Sequence, residues 1–144
     1  CRNAVNTVNL LLRMGVVPII NENDTVAVEE IKFGDNDYLS ALAFEIMEAH
    51  ALILLTDVEG VLAAAPTHNG AARVIATVSR ATWAEVELGI APTTNAAGTG
   101  GMKSKVEAAR AAVDHGGMAV IARGKTERVL ERIMAGEELG TFFT

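Results

Sequence analysis

The chain has 144 residues, enough for one domain of ordinary size with its own core. Half of them are apolar but only 4% are aromatic, which favours closely packed helices on a sheet over a β-sandwich. With 18 acidic and 12 basic residues the net charge is −6, so the surface as a whole offers nucleic acid no attraction.

Cys1 is the only cysteine, so no intrachain disulfide can form, and a reducing, cytoplasmic setting is expected. The longest apolar runs are about five or six residues, far short of the ~20 a membrane helix needs, and no signal peptide is visible. The sequence opens at Cys1 rather than methionine and runs straight into a helical pattern, so a piece of a longer protein is expected.

Taken in order, residues 4–14 have helical spacing: Val5, Val8 and Leu12 share a face, Leu11 lies beside it, and Gly15 ends it. Val16 to Ile20 is short and β-branched and predicts a buried strand. Four polar residues follow, Asn21, Glu22, Asn23 and Asp24. Val26 and Val28 then alternate on one face while Ile31 and Phe33 take the opposite phase, which a turn or bulge at Glu29–Glu30 accounts for. From Asp37 to His50 the spacing predicts an amphipathic helix. Leu39, Leu42, Ala43, Ile46 and Met47 face inward, and Ser40, Glu45 and Glu48 outward. Asp35, Asn36 and Asp37 supply its cap and its N-terminal negative charge.

Ala51 to Leu55 reads as a second buried strand, closed by Thr56–Asp57. A loop follows through Gly60, Pro66 and Asn69–Gly70. Val74 to Val78 predicts a short strand, Ala81 to Leu88 a helix, and Ala91 to Gly101 a loop rich in Gly, Thr and Asn. Met102 to His115 predicts a helix, Met118 to Ala122 a strand, and Thr126 to Met134 a last helix ending at Gly136. Alternating helices and strands imply an α/β fold: three layers, a mostly parallel sheet covered by helices.

Four clusters carry possible chemistry, each with a plainer structural explanation beside it. Asn21 to Asp24 can be a simple turn, or acceptors for an ammonium and donors for a carboxylate, as an amino acid presents. Asp35 to Asp37 can be a cap alone, but three such residues exceed what one cap requires. Thr56–Asp57 stands at a strand's carboxyl end, where open parallel sheets bind ligands. Gly98 to Lys105 can be a flexible loop entering a helix. Lys103 and Lys105 then fall in the first turn, where the dipole disfavours cations, and a docked anion reverses that argument. Glycines allow close backbone approach and lysines neutralise charge, so this is a phosphate site in physical terms, although it lacks the spacing of G-x-x-x-x-G-K-[ST]. His50, His68 and His115 have no metal-ligand spacing, and no residue set is assigned to a metal.

In this order the clusters make the chain resemble the amino acid kinase family, and within it the branch that phosphorylates glutamate. The resemblance rests on VPIINENDTVAVEEIKFGDND at 17–37, ALILLTDVEGV at 51–61, GTGGMKSKVEAA at 98–109 and the closing GTFF, and it runs from Asn3 to Phe143. It implies ATP-dependent phosphorylation of the side-chain carboxylate of L-glutamate to glutamyl 5-phosphate, the first step of proline biosynthesis. Asp24 and Asn36 are implied to bind glutamate, with Asn21 beside them. Thr56, Asp57 and the run Thr99, Gly100, Gly101, Met102, Lys103, Ser104 and Lys105 are implied to contact the nucleotide. Lys105 is implied to stabilise the transferring phosphoryl group, and Asp37 to hold the catalytic lysines, with magnesium carried largely by the phosphates. The full-length protein is expected to be a homo-oligomer.

Two departures bear on this. The family's loop after the Thr-Asp strand commonly carries Asp-Pro-Arg, where this chain has Ala65, Pro66 and Thr67. The family's first strands, with a second phosphate-binding lysine, a glycine-rich loop and a glutamate-contacting serine, are expected upstream. A PUA domain often follows the kinase domain. The chain is therefore expected to be the C-terminal portion of the kinase domain, inactive by itself. Two other readings stay open: a family member acting on acetylglutamate, aspartate, carbamate or uridylate, and a non-catalytic nucleotide- or amino-acid-binding module.

Overall fold

A computed structural model describes residues 2–21, 35–63, 73–84, 86 and 99–144. Its elements are α1 (Arg2–Arg13), α2 (Asp35–Ile46), β1 (Ala51–Thr56), β2 (Thr77–Val78), α3 (Thr99–Asp114), β3 (Met118–Arg123), α4 (Val129–Met134) and β4 (Thr141–Phe143). The strands form one sheet in the order β1-β3-β4-β2. β1 and β3 run parallel, with Ala51 opposite Met118 and Thr56 opposite Arg123. β4 is antiparallel to β3 and parallel to β2, so two of the three pairings are parallel.

Both faces of the sheet are covered. Period-two alternation sends Ala119 and Ile121 of β3 to one face, where they join Leu52, Leu54, Phe143 and the inner residues of α2 and α3. Val120 and Ala122 point the other way and pack with Val129 and Ile133 of α4. The expected three-layer α/β arrangement is present. At the end of α4, Arg132 donates hydrogen bonds to Glu137, which holds that carboxyl below the usual carboxylate range.

Several expectations are corrected. Val16 to Ile20 is not a strand: it pairs with nothing among the described residues, and Val17 and Ile19 are 83% and 95% exposed. β-branching favours extended backbone, but a strand persists only where a neighbour takes its N–H and C=O groups. β4 was not expected; three residues are too few for a periodic signal, and pairing with β3 defines the strand. α2 begins at Asp35 rather than Asp37 and ends at Ile46 rather than His50, where Glu48 turns the chain with φ 49. α3 begins at Thr99 rather than Met102, so the last three residues of the glycine-rich loop belong to the helix. The final helix starts at Val129 instead of Thr126.

Phe44 is the most deeply buried residue of α2, although it lies outside the expected stripe. The helix packs against both β1 and α3, so its buried arc is wider than one face. The ring reaches Gly117, where a Cβ would sit 2.2 Å from Phe44 Cζ and 3.1 Å from the His50 carbonyl oxygen. Gly117→Ala should therefore destabilise the fold by about 1–3 kcal/mol through overpacking, measured by chemical denaturation. Unchanged stability would mean that the Phe44 ring yields freely. Gly140, with φ +77, is constrained more severely, since a Cβ there would lie 2.1 Å from the Ile121 carbonyl oxygen.

Candidate active site

Helices α2 and α3 lie side by side and run in the same direction. At one end Asp37 pairs with Lys105; at the other, His115 Nε2 lies 3.5 Å from Glu45 Oε1. Each helix leads through a short turn into one of the parallel strands, β1 or β3. Both helix N-termini are thereby brought to the carboxyl ends of those strands, where Thr56 stands opposite Arg123. The backbone N–H of Gly124 donates to the Thr56 carbonyl at 2.8 Å, tying the two strand exits together. Among the described residues, this is the end of the sheet where partial positive charge from two helix dipoles converges.

The centre of the arrangement is Asp37, in the first turn of α2. Lys105 Nζ donates to its Oδ1 at 3.1 Å and its Oδ2 at 3.0 Å. The Ser104 hydroxyl donates to Oδ2 at 2.6 Å. Ser40, one turn on, donates to the backbone carbonyl of Asp37 at 2.6 Å. The Lys105 and Asp37 side chains are 18% and 14% exposed, so the pair is partly shielded from water and its charges are screened less than a surface pair's. An ammonium has three donors. Both contacts go to the one carboxylate, so the ammonium keeps donor capacity that meets no protein acceptor among the described residues.

The two lysines of the loop-helix run do not act alike. With α3 starting at Thr99, both lie in the second turn rather than the first, and residues two apart point to different sides of a helix. Lys103 is 71% exposed and lies 3.8 Å from Glu107 Oε1, one turn further along α3. Only Lys105 reaches Asp37. Thr99 and Gly100 enter as helical backbone, Gly101 is exposed, and Met102 is half-buried against the main core. Thr56 and Asp57 are at the exit of β1, joined by a 3.2 Å hydrogen bond from the threonine hydroxyl to the aspartate. Asn36 is exposed at the start of α2 and has a bonding partner. Asn21 is exposed beyond α1, and Asp24 lies outside the described residues. Ala65, Pro66 and Thr67 also lie outside them.

The structure thus brings Asp37, Ser104 and Lys105 into contact, while Lys103 turns away. The bond from Ser104 to Asp37 was not foreseen, since the two residues are 67 positions apart. A serine next to the lysine was the only sign of it.

A profile of the amino acid kinase family matches residues 2–123. The chain belongs to that family. Among curated relatives, the glutamate 5-kinase of Syntrophotalea carbinolica is 51% identical over 141 residues, covering 98% of this chain and 38% of the relative. The glutamate 5-kinase of Pseudomonas aeruginosa is 46% identical over 142 residues, covering 99% and 38%. This amino acid kinase chain therefore spans 38% of the length of these curated relatives. Its fold is also that of solved kinases. UMP kinase from Bacillus anthracis superposes with a TM-score of 0.67 at 20% identity, over 97% of this chain and 50% of that one. Carbamate kinase from Giardia lamblia, bound to AMP-PNP, gives 0.64 at 19% identity, over 96% and 43%. No described helix of this family member is long and apolar enough to cross a membrane.

Proposed function

We propose that this chain is the C-terminal portion of the kinase domain of a cytoplasmic, homo-oligomeric glutamate 5-kinase. The full-length enzyme transfers the γ-phosphoryl group of ATP to the side-chain carboxylate of L-glutamate, giving glutamyl 5-phosphate and ADP at the start of proline biosynthesis. The observation that carries this reading is the Asp37–Lys105 pair, placed where two helix N-termini meet the carboxyl ends of β1 and β3. Sequence identity of about half to curated glutamate 5-kinases supplies the choice of substrate.

The residues present fit a polyphosphate. The first turn of α3 contains no acidic residue. A Cβ built at Gly101 meets no atom within 4 Å, so a ligand can approach this backbone among the described residues. When bound, ATP supplies the phosphoryl group, and its magnesium ion neutralises phosphate charge. The backbone of Thr99 to Lys105 and the Lys105 ammonium would hold the phosphates, with Thr56 and Asp57 on the nucleotide side. A glutamate carboxylate is already a nucleophile, so no side chain has to remove a proton from it. The work left to the protein is to align the reactants and to stabilise the charge on the transferring group, which falls to the Lys105 ammonium.

Glutamate recognition rests on Asp24 and Asn36, with Asn21 beside them. In the full-length protein, Asp24→Ala or Asn36→Ala should raise the KM for glutamate about 5- to 100-fold and leave that for ATP nearly unchanged. Each leaves a polar group of the ligand unmatched, at about 1–3 kcal/mol. Equal weakening of both substrates would point to a fold defect at the start of α2 instead. The activity itself is tested by coupled ADP release together with hydroxylamine trapping of the acyl phosphate. Glutamate-dependent hydroxamate supports the reading; ADP release with a different acceptor and none with glutamate would overturn it.

A further inference from the structure

We propose that Ser104 is a positioning residue for phosphoryl transfer, acting on Asp37, and not a side-chain ligand of the nucleotide. The inference rests on the reading of Lys105 as the cation that stabilises the transferring group.

Ser104 is a buried polar residue of α3, 8% exposed, in the second turn beside Lys105. Its oxygen has two acceptors nearby, Asp37 Oδ2 at 2.6 Å and the Gly101 carbonyl at 3.1 Å. A hydroxyl has one hydrogen, and the shorter contact to the ionised group takes it. The 3.1 Å approach to the Gly101 carbonyl is the ordinary backward contact of a helical serine. The bond to Asp37 crosses to another helix, and such a bond needs this side chain to be a donor at this position.

The consequence concerns direction more than affinity. Lys105 ends a flexible four-carbon stem, and its ammonium goes where its partner is. That partner is a carboxylate which, held only by a mobile ammonium, could turn about its own side-chain bonds. Ser104 anchors Oδ2 from α3 while Ser40 anchors the Asp37 backbone within α2. With the carboxylate fixed, the ammonium that lies 3.1 and 3.0 Å from its two oxygens is held in place with it, and its remaining donor capacity is left for the phosphoryl group. A hydroxyl committed in this way has no hydrogen to donate to a phosphate.

The test is steady-state kinetics on the full-length protein with Ser104→Ala, Ser104→Cys and Ser104→Thr, with Lys105→Met alongside. Cysteine nearly matches serine in shape but donates weakly, so it separates loss of the hydrogen bond from loss of packing. Threonine keeps the hydroxyl, and its extra methyl can enter the cleft of about 340 Å³ that Ser104 lines with Tyr38, Leu42 and Ala108. Alanine and cysteine should each lower kcat about 10- to 100-fold, the scale of a misdirected catalytic group, with KM for ATP and glutamate held within about twofold. Threonine should stay within about threefold of the parent. A raised KM for ATP at unchanged kcat would make Ser104 a nucleotide ligand and overturn the proposal. So would full activity in both the alanine and cysteine forms while Lys105→Met is dead. Full activity in Lys105→Met would instead remove the reading on which the proposal stands.

Discussion

Replacing Lys105 with methionine in the full-length enzyme should lower kcat 100- to 1,000-fold while KM for glutamate changes little. Methionine keeps the length and much of the volume of the lysine stem, so packing between α2 and α3 is largely preserved. What disappears is the ammonium, which contacts both carboxylate oxygens of Asp37. Removing a single donor aimed at developing charge typically costs about 3–4 kcal/mol of transition-state stabilisation. The mutation also strands Asp37, a mostly buried carboxylate whose remaining side-chain donor is Ser104. A modest loss of thermal stability should therefore accompany the kinetic effect. Lys103→Met supplies the internal comparison. That lysine is exposed and, among the described residues, pairs across a turn of its own helix, so its removal should cost far less in kcat. Turnover within a few fold of the parent in Lys105→Met would make Lys105 a structural lysine.

The second large effect concerns the 144-residue chain by itself, which should release no ADP above background with ATP, magnesium and glutamate. Phosphoryl transfer needs cations or dipoles on more than one side of the transferring group and a site closed to water. Among the described residues the cation held at Asp37 is Lys105, which stands on one side of the site beside an open helix turn. The chain also spans only 38% of its curated relatives and half of the UMP kinase that shares its fold. The outer edge of β1 has no partner among the described strands, and Leu10, Leu12, Met14 and Val17 are exposed on and after α1. Such surfaces promote association, so the purified chain should also elute as oligomers on size-exclusion chromatography. The decisive measurement is the coupled assay with hydroxylamine trapping. Glutamate-dependent turnover at rates like those of intact enzymes would mean that these residues hold the whole active site.

What the sequence made legible was what depends on near neighbours. Asp35 to Asp37 announce the start of α2 because a helix start needs polar caps and tolerates negative charge. β1 and β3 are short apolar runs between turn signals, and both form strands. Val16 to Ile20 has the same local character and pairs with nothing among the described residues, because pairing depends on residues elsewhere. Phe44 was missed since a single-stripe pattern assumes one packing partner and α2 has two. At the site, the clusters could be named but not their mutual contacts. Lys103 and Lys105 look equivalent in sequence, yet a shift of the helix start from Met102 to Thr99 and the rotation between them leave one on Asp37 and the other on Glu107. The Ser104–Asp37 bond is a product of parallel packing between two helices, which no spacing along the chain encodes.

The position of β4 also bears on the order in which this fold can assemble. It is the last of the described strands to be synthesised, yet it sits inside the sheet, between β3 and β2. Its Thr141 side chain is fully buried and accepts a hydrogen bond from the Val61 backbone N–H at 2.9 Å. Among the described strands β2 pairs with β4 alone, so it cannot join the sheet of β1 and β3 until residues 141–143 have left the ribosome. Unlike a sheet that grows outward strand by strand, this one closes by late insertion. Its slowest step should be the docking of a short segment between β3, which lies close by in the sequence, and β2, which lies far back.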